Sequence, residues 1–268
     1  MSFIGPNWIQ GRRRPIRSTA DPAANRHQIH RILLASQLQP RKMESNKRLI
    51  QSDVSVEPTR QKLLDTAGQL FAAKGFQATT IREVCLAADA NIAAVHYHFG
   101  DKERLYIECV KLAHCQQGIT RFDWPDDLPP QDKLGVIVTQ MLSMMLAADR
   151  PAWQAELMVR ELARPSQACR VLVEEFISPM FSQLLAVVSE MFPANAPLLI
   201  RQQTAFSVVA QCLLYRYHRP IGQLLIGEQQ FQQLLDVETV SQQVIAFSLA
   251  GIRQCALQCG AERAAEVR

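Results

Sequence analysis

Thr79, Thr80 and Lys102 are the side chains of this sequence best suited to bind a phosphate group. The segment from Thr80 to Glu83 has the spacing of a capping box. It places both threonines at the start of a helix, where free N–H groups and the helix dipole favour an anion. Lys102 stands at the predicted start of a later helix and offers a second positive group. Thr80 would cap a helix equally well in a protein that never meets a phosphate, so these residues alone leave both roles open.

The sequence carries few patterns that indicate catalysis or metal binding. The motifs GxGxxG, GxSxG, HExxH and the P-loop are all absent. His96 and His98 are two residues apart on a predicted helix and diverge by roughly 200°, so they cannot share an ion there. Cys255 and Cys259 do share a helix face, but buried thiols are far more common than two-ligand sites. We therefore expect no metal, no cofactor and no enzyme activity, and keep an all-α enzyme as an alternative.

Four short helices are predicted around the candidate phosphate-binding residues. An apolar stripe from Leu63 to Phe71 predicts a helix that ends at Gly75. The capping box starts a second helix of about two turns. The tight turn at residues 89–91 places Asn91 as the cap of a third helix, and a fourth begins at Lys102. This arrangement describes a helix-turn-helix unit, although small helical hairpins of other purpose have the same spacing.

The remainder of the chain also predicts helices, and no strand-like alternation interrupts them, so the fold class is all-α. A proline-rich linker at residues 124–130 separates the first four helices from the rest. Pro179 lies inside the apolar segment 167–191 and is expected to kink or split it. Two more helices are predicted, at about 197–218 and 237–259.

The net charge of +4 belongs to the start of the chain. Residues 1–50 hold ten Lys and Arg against Asp21 and Glu44, and the remaining 218 residues carry a net charge of −4. Residues 1–55 show little apolar periodicity and several prolines, so we expect a disordered basic extension. Two interpretations stay open for it: an arm that reaches along nucleic acid, or sequence translated upstream of a true start at Met43.

Cysteine usage and hydropathy favour a cytoplasmic protein. The seven cysteines form no CxxC pair and no regular disulfide spacing, which fits a reducing compartment. The first ten residues carry no positive charge and no apolar core, unlike a secretory signal. No apolar stretch approaches the ~20 residues that a membrane-spanning helix needs, so we expect neither a membrane span nor a membrane partner.

The segment from Thr79 to Leu105, TTIREVCLAADANIAAVHYHFGDKERL, resembles the N-terminal DNA-binding domain of the TetR/AcrR family of transcriptional regulators. Its most diagnostic part is the run from His98 to Glu103. There the family has the aromatic end of its recognition helix, a loop, and a Lys-acidic start of helix four. The segments 91–94 and 97–100, together with 205–224, look most like the CecR (YbiH-like) branch.

Two residues depart from the family pattern. Asp89 stands in the turn where the family usually has Gly, and Asp tolerates the left-handed conformation better than most residues. His96 stands where the family usually has Tyr and has a shorter reach toward a phosphate. We expect the turn to survive the change at Asp89, and His96 still to contact a phosphate despite its shorter reach.

The resemblance implies an N-terminal three-helix helix-turn-helix domain plus a C-terminal helical ligand-binding and dimerisation domain. We place the first at residues 57–117, with its motif at 80–99, and the second at residues 131–260. A palindromic operator and a homodimer are expected, because residues 51–117 carry seven Lys and Arg against eight Asp and Glu. A single domain of that charge should bind double-stranded DNA weakly.

In the resembled family the third helix enters the major groove. Val95 and Phe99 are four residues apart and are expected to face the core, which leaves the other side chains of the helix for DNA. Ala93 and Ala94 are small enough for the helix to approach base edges. No Arg stands where it could read guanine, so part of the specificity is expected from DNA shape and spacing. The residues expected at the DNA interface are Thr79, Thr80, Asn91, Ile92, Ala93, Ala94, His96, Tyr97, His98 and Lys102.

The C-terminal domain is expected to supply the dimer interface and a small-molecule pocket. Apolar residues spaced three and four apart predict a helix-packing seam, and burial inside one subunit is the competing explanation for it. The interface residues expected are Val209, Leu213, Val240, Val244, Phe247 and Gly251. Methionine and aromatic side chains suit a pocket for a small apolar or aromatic effector, and ordinary core packing competes with that role. The pocket residues expected are Met141, Met145, Trp153, Met158, Phe176, Phe206 and Tyr215.

The sequence therefore predicts a ligand-responsive DNA-binding transcriptional regulator, a repressor that binds its operator as a homodimer. The CecR-like features suggest genes for drug export or tolerance as its targets. The alternatives are a regulator that acts through protein partners without a small ligand, and an all-α enzyme.

Overall fold

The computed structural model describes residues 57–114, 120–147 and 150–266, with side chains up to residue 260. Among these residues it contains helices and no strand, which confirms the all-α prediction. The expected basic extension at residues 1–55 lies outside the described residues. The helices, in chain order, are α1 (Glu57–Lys74), α2 (Ile81–Ala87), α3 (Ile92–Phe99), α4 (Lys102–His114), α5 (Pro130–Leu146), α6 (Ala152–Ala163), α7 (Gln167–Leu172), α8 (Ser178–Glu190), α9 (Leu198–Tyr217), α10 (Arg219–Ile226), α11 (Glu228–Leu234) and α12 (Val237–Glu266), with a π-helical turn at Val173–Ile177 between α7 and α8.

Left-handed residues separate the first four helices. Gly75, with φ of 83°, follows the end of α1 as predicted, and Gly100, also at 83°, follows α3. Asp89 turns the chain between α2 and α3 with φ of 48°. Only a few residue types accept this conformation, and the short polar side chain of Asp is among them. The turn therefore forms without the usual glycine.

Helices α1 to α4 share one apolar core, and α6 contributes to it. The ring of Phe71 meets that of Tyr106 edge to face at 4.9 Å between centroids. Trp153 and Leu157 enter the same core from α6. A Cβ at Gly68 would lie 2.5 Å from the Trp153 ring, so α1 and α6 contact closely because residue 68 is a glycine. The helix-turn-helix unit thus packs directly on α6.

Two of the expected pocket residues lie in this first core. Trp153 is 5% exposed and Met158 is 3% exposed, and both pack among side chains of the first four helices. Their assignment to a ligand pocket is corrected to core packing. Apolar character indicates that a helix face is covered but does not say which neighbour covers it.

A second core joins α5, α8, α9 and α12. Ile137, Leu184 and Ala205 are almost fully buried there. Val240 and Val244, expected at the dimer interface, are 3% and 1% exposed within this core. Their assignment is corrected, because the competing explanation of burial inside one subunit holds for both.

The segment Gln167–Glu190 is long and apolar enough, with a mean hydropathy of 1.6, to meet the criteria for a membrane span. The prediction that no apolar stretch approaches membrane-spanning length is therefore wrong for this segment. One helix of this length and composition does not establish a span, since core helices of soluble proteins pass the same criteria, although only 22% of the most apolar window of this segment is buried. A π-helical turn interrupts the α-helical pattern shortly before Pro179, while the segment stays helical throughout, so it is distorted near the predicted position but not split.

A buried carboxylate connects α4, α6 and the start of α7. Glu161 on α6 is 2% exposed and accepts a hydrogen bond from the Tyr106 hydroxyl. Ser166 donates to the same carboxylate from its backbone N at 3.2 Å and from Oγ at 2.9 Å. A charge can lie in a core only where donors replace its water. These contacts therefore hold the relative position of α4 and α6.

Arg150 connects the end of α4 with α5 and α6. Its guanidinium donates to the carbonyl of Ala113 at 2.5 Å and to that of Met144 at 3.0 Å, and its Nε donates to Gln154 at 2.9 Å. The last carbonyls of a helix lack intrahelical partners, so an arginine is a favourable cap for them. The end of α4 is thereby held against the α5–α6 connection.

His114 makes the stability of the fold depend on pH. Burial at the end of α4, together with the nearby charge of Arg150, lowers its pKa from 6.5 to about 4. Between these values the unfolded chain binds more protons than the folded one, so the free energy of unfolding must decrease as the pH falls from 6.5 to 4. We predict that His114→Gln reduces the loss of thermal stability across this range, measured by circular dichroism. The exposed His218→Gln variant should retain the slope of the parent, and an equal slope for His114→Gln would contradict the prediction.

Candidate nucleic-acid interface

The start of α2 is held by the predicted capping box. Thr80 Oγ1 accepts from the backbone N of Glu83 at 3.2 Å, and the Glu83 carboxylate accepts from the backbone N of Thr80 at 3.0 Å. Lys74 donates to the other oxygen of Glu83 at 2.8 Å. This hydrogen bond, with that from Thr80, lowers the pKa of Glu83 from 4.5 to about 2. The exposed hydroxyl of Thr80 lies beside a carboxylate whose charge Lys74 balances.

Thr79 has a structural role that the sequence argument missed. Its side chain is fully buried, and its hydroxyl donates to the carbonyl of Gly75 at 2.9 Å. The expected contact between this hydroxyl and a phosphate is corrected, because the group faces the end of α1 and not the solvent. Thr79 fixes the path of the chain from α1 to α2, which positions Thr80.

Helix α3 is positioned by its cap and by its two core residues. Asn91 Oδ1 accepts from the backbone N of Ala94 at 2.7 Å, as the sequence predicted. Val95 is fully buried and Phe99 is 5% exposed, so the register of the helix is the predicted one. Arg60 of α1 covers the Phe99 ring, with its guanidinium carbon 5.2 Å from the ring centroid.

The opposite side of α3 is exposed, and we call it the α3 outer face. Its residues are Ile92, Ala93, His96 and Tyr97, which fall at i, i+1, i+4 and i+5 and so share one side of the helix. Tyr97 is 73% exposed and Ile92 is 49% exposed, unusual values for large apolar groups. The exposed Asn91 extends this face at its start, whereas Ala94 and His98 are half-buried at its edge.

The Nε2 atom of His96 can accept a hydrogen bond from a binding partner. Its Nδ1 lies 2.6 Å from the carbonyl oxygen of Gly100. A carbonyl can only accept, so Nδ1 donates and, in the neutral imidazole, Nε2 is left as an acceptor. An acceptor matches the amino groups of adenine and cytosine in the major groove better than it matches a phosphate.

Lys102 begins α4 as predicted, but its ammonium group already has partners. Nζ lies 4.4 Å from the centroid of the Phe76 ring and 3.5 Å from the carbonyl oxygen of Gln77. The lysine therefore stabilises the loop before α2 in addition to carrying charge near it. Two exposed residues of α2 were not singled out from the sequence, namely Arg82 and Leu86, the latter 83% exposed. Arg82 lies inside the capping-box segment, and this position at the start of α2 could have identified it from the sequence as an interface residue.

A cleft of about 1000 Å³ opens on the side of α6 that faces away from the first core. It lies between the end of α1, the α5–α6 connection, and the junction of α9 with α10. Of the expected pocket residues only Met145 and Tyr215 line it. No group of three or more His, Cys, Asp or Glu in the described part of the chain is arranged to hold a metal ion.

The remaining expected pocket residues lie elsewhere and are corrected. Met141 is 7% exposed in the second core. Phe176 is half-buried, and its ring lies 6.3 Å from that of His114. Phe206 is 62% exposed on α9 and contacts Phe181, with ring centroids 4.7 Å apart. Composition identified these apolar groups but not the helix faces that carry them.

Helices α9 and α12 expose large apolar side chains, which we call the α9–α12 face. Leu199 and Phe206 on α9, and Phe247 and Leu257 on α12, are each more than 60% exposed. A Cβ at Gly251 would meet nothing within 4 Å. Of the expected interface residues, Phe247 and Gly251 are exposed here, and Val209 and Leu213 are half-buried on α9.

Two family models match this chain. Residues 63–109 match the model described as bacterial regulatory proteins, tetR family. Residues 130–252 match the model of the C-terminal domain of the HTH-type transcriptional dual regulator CecR. The first match covers the buried part of α1, all of α2 and α3, and α4 as far as Cys109, and the second covers α5 to the middle of α12.

Curated relatives and a solved structure are similar to the chain over part of its length. The HTH-type transcriptional dual regulator CecR of Shigella flexneri is 28% identical over 144 residues, which are 50% of this chain and 64% of that protein. The HTH-type transcriptional regulator AcrR of the same organism is 28% identical over 148 residues, 52% of this chain and 69% of that protein. The solved structure of Salmonella enterica GusR is 20% identical in sequence, and the match covers 74% of this chain and 96% of that protein's chain, with a TM-score of 0.48. The chain thus spans about two thirds of the length of the curated relatives it matches.

Proposed function

Because this chain belongs to the TetR family of bacterial regulatory proteins, with a C-terminal domain of the CecR type, we propose that it is a DNA-binding transcriptional regulator of the bacterial cytoplasm. It acts as a repressor, binds a palindromic operator as a homodimer, and releases the operator when a small effector binds. Genes for drug export or tolerance are the proposed targets.

The α3 outer face is the observation that carries this proposal. An apolar residue such as Ile92 and an aromatic one such as Tyr97 stay in water on a helix whose other side is firmly packed. Exposed large apolar side chains on one rigid face indicate a binding surface. The small Ala93 between them lets the helix backbone come close to base edges, and the methyl groups can pack on thymine.

Dimerisation supplies the affinity that a single domain lacks. Residues 51–117 carry a net charge of −1, so bulk attraction to DNA is weak. Two linked copies double the contacts and read two half-sites about one helical turn apart or more. The α9–α12 face suits the dimer contact, because its exposed leucine and phenylalanine side chains would lose unfavourable contact with water on pairing.

The dimer proposal predicts that Phe247→Glu converts the protein to a monomer. A charge at the centre of a paired apolar face cannot be solvated, so we expect the dimer dissociation constant to rise at least 100-fold. Light scattering measures the mass, and DNA affinity should fall at least tenfold in parallel. Leu162→Glu, which places the same charge on an exposed leucine of α6, is the matched control and should remain dimeric. A Phe247→Glu dimer of normal stability would show that this face is not the interface.

The function itself is tested with DNA from upstream of the protein's own gene. We expect the protein to shift this DNA in a gel at moderate salt and to be displaced by unlabelled copies but not by a scrambled duplex. Binding without discrimination between the two competitors would rule out operator recognition. Screening small molecules for release of the bound DNA then separates a ligand-responsive repressor from a regulator that acts only through protein partners.

A further inference from the structure

The cleft beside α6 concentrates positive charge in a protein whose body is acidic. Five arginines line it, namely Arg150, Arg160, Arg164, Arg216 and Arg219, against one carboxylic acid among the described lining residues, Glu156. Residues 51–268 as a whole carry a net charge of −4. Like charges gathered in one concave surface raise the local potential and attract anions.

Besides Arg150, whose contacts with backbone carbonyls are described above, two of these arginines are held in place by the protein backbone. Arg160 donates to the carbonyls of Ala72 and Ala73 at 3.0 and 3.2 Å, which are the last turn of α1. Arg216 donates to the carbonyl of Met145 at 2.9 Å. A carbonyl is a neutral acceptor, so these hydrogen bonds do not neutralise the charge of either guanidinium.

Arg164 and Arg219 are exposed at the rim of the cleft. Neither forms an ion pair within 4.0 Å with a carboxylate in the part of the chain that the structure describes. Burial lowers the pKa of Arg216, the charge and the hydrogen bond of Tyr217 raise it, and the charge of Arg219 has the smallest effect of these, a lowering one. The charges of Arg216 and Arg219 are thus close enough to interact, and an anion bound near both would be attracted by both.

The remaining walls of the cleft are apolar. The side chains of Met145 and Val159 line it, the latter 46% exposed, and Pro220 and Tyr215 line it at the α9–α10 junction. Such walls bury the hydrocarbon part of a ligand, and the polar groups fix its orientation.

We propose that this cleft binds a small amphipathic anion, an apolar molecule with a carboxylate or phosphate group, and that this anion is the effector. The inference rests on the proposed function for its regulatory part and adds a charged group to the small apolar or aromatic effector expected from the sequence. The guanidinium groups bind the charged group in bidentate pairs, and the apolar walls bind the rest.

Binding of an anion is coupled to the DNA-binding helices through Arg160. A charged acceptor binds a guanidinium more strongly than a backbone carbonyl does, so the anion competes with Ala72 and Ala73 for this side chain. Release of these carbonyls loosens the end of α1 immediately before Gly75 and the loop that leads to α2. The ligand and α1 therefore compete for the same side chain, which gives the two sites a coupling free energy.

The test uses the full chain and three probes with the same hydrocarbon part: octanoate, octyl phosphate and 1-octanol. Calorimetry should detect binding of at least one anion, at least tenfold tighter than 1-octanol. The double variant Arg164→Gln/Arg219→Gln should lower the affinity for the anion at least tenfold. Arg170 is an exposed arginine of α7 outside the cleft, and Arg170→Gln should leave this affinity unchanged. Preference for octanoate or for octyl phosphate identifies the charged group.

Equal affinity for 1-octanol, or no binding of either anion, would overturn the proposed ligand class. Unchanged affinity in the double variant would overturn the proposed site. Because calorimetry is done without DNA, its outcome is independent of operator recognition. Release of bound DNA by the anion is then measured separately. If the protein binds DNA but not the anions, the proposed function stands and the proposed effector is rejected.

Discussion

Replacing Ala93 by Glu is expected to reduce affinity for operator DNA at least 100-fold without changing the fold. Ala93 is exposed at the middle of the α3 outer face and packs on nothing in the two cores. Glu adds length where the helix must approach base edges, and it adds a negative charge near the phosphates. Each effect is worth about 1–3 kcal/mol, and a homodimer carries the change twice. Fluorescence anisotropy with labelled operator DNA measures the loss.

Ala186→Glu is the matched control, because it makes the same change at an exposed alanine of α8. Its DNA affinity should stay within about twofold of the parent protein. Circular dichroism and the melting temperature should be unchanged in both variants, since glutamate is nearly as good a helix former as alanine. If Ala93→Glu bound the operator normally, α3 would not be the recognition helix.

The largest expected loss of stability comes from Glu161→Ala. The carboxylate accepts from the Tyr106 hydroxyl and twice from Ser166, and it is 2% exposed. Its removal leaves these donors unpaired in a core and opens a small cavity, for which we expect about 3–4 kcal/mol. Urea denaturation followed by circular dichroism measures the free energy of unfolding.

Two further variants separate the origin of this loss. Tyr106→Phe removes one donor and leaves the carboxylate bound to Ser166, so we expect about 1–2 kcal/mol. Glu156→Ala removes an exposed carboxylate from the same helix and should change stability by less than about 0.5 kcal/mol. A similar small effect for Glu161→Ala would mean that the buried hydrogen bonds contribute little to the stability of this fold.

The helix-turn-helix unit could be predicted well from the sequence because its signals are local. The capping box at Thr80 and the cap at Asn91 each involve residues three apart, so the chain specifies them without reference to distant parts. The spacing of Val95 and Phe99 likewise predicted which side of α3 is buried. The α3 outer face followed from that register.

The C-terminal assignments failed where the partner of an apolar face is distant in sequence. Periodicity predicts that Val240 and Val244 are covered, but either a second copy or the same chain can cover them. Nothing in the sequence around Trp153 indicates its contact with Gly68, which lies more than eighty residues earlier. The cleft was missed for the same reason, because its arginines come from α6, the α9–α10 junction and the connection before α6.

Because α6 packs on the first four helices, the part of the molecule that moves together with α3 extends beyond the proline-rich linker. One side of this helix shares a core with α1 and α4 through Trp153 and Leu157, and the other side forms a wall of the cleft. Densely packed cores resist deformation, so a displacement of α6 moves its neighbours with it. For mechanical purposes α6 belongs to the unit that carries α3. The proposed anion would therefore bind against the DNA-binding unit itself, and no long relay through the C-terminal bundle would be required.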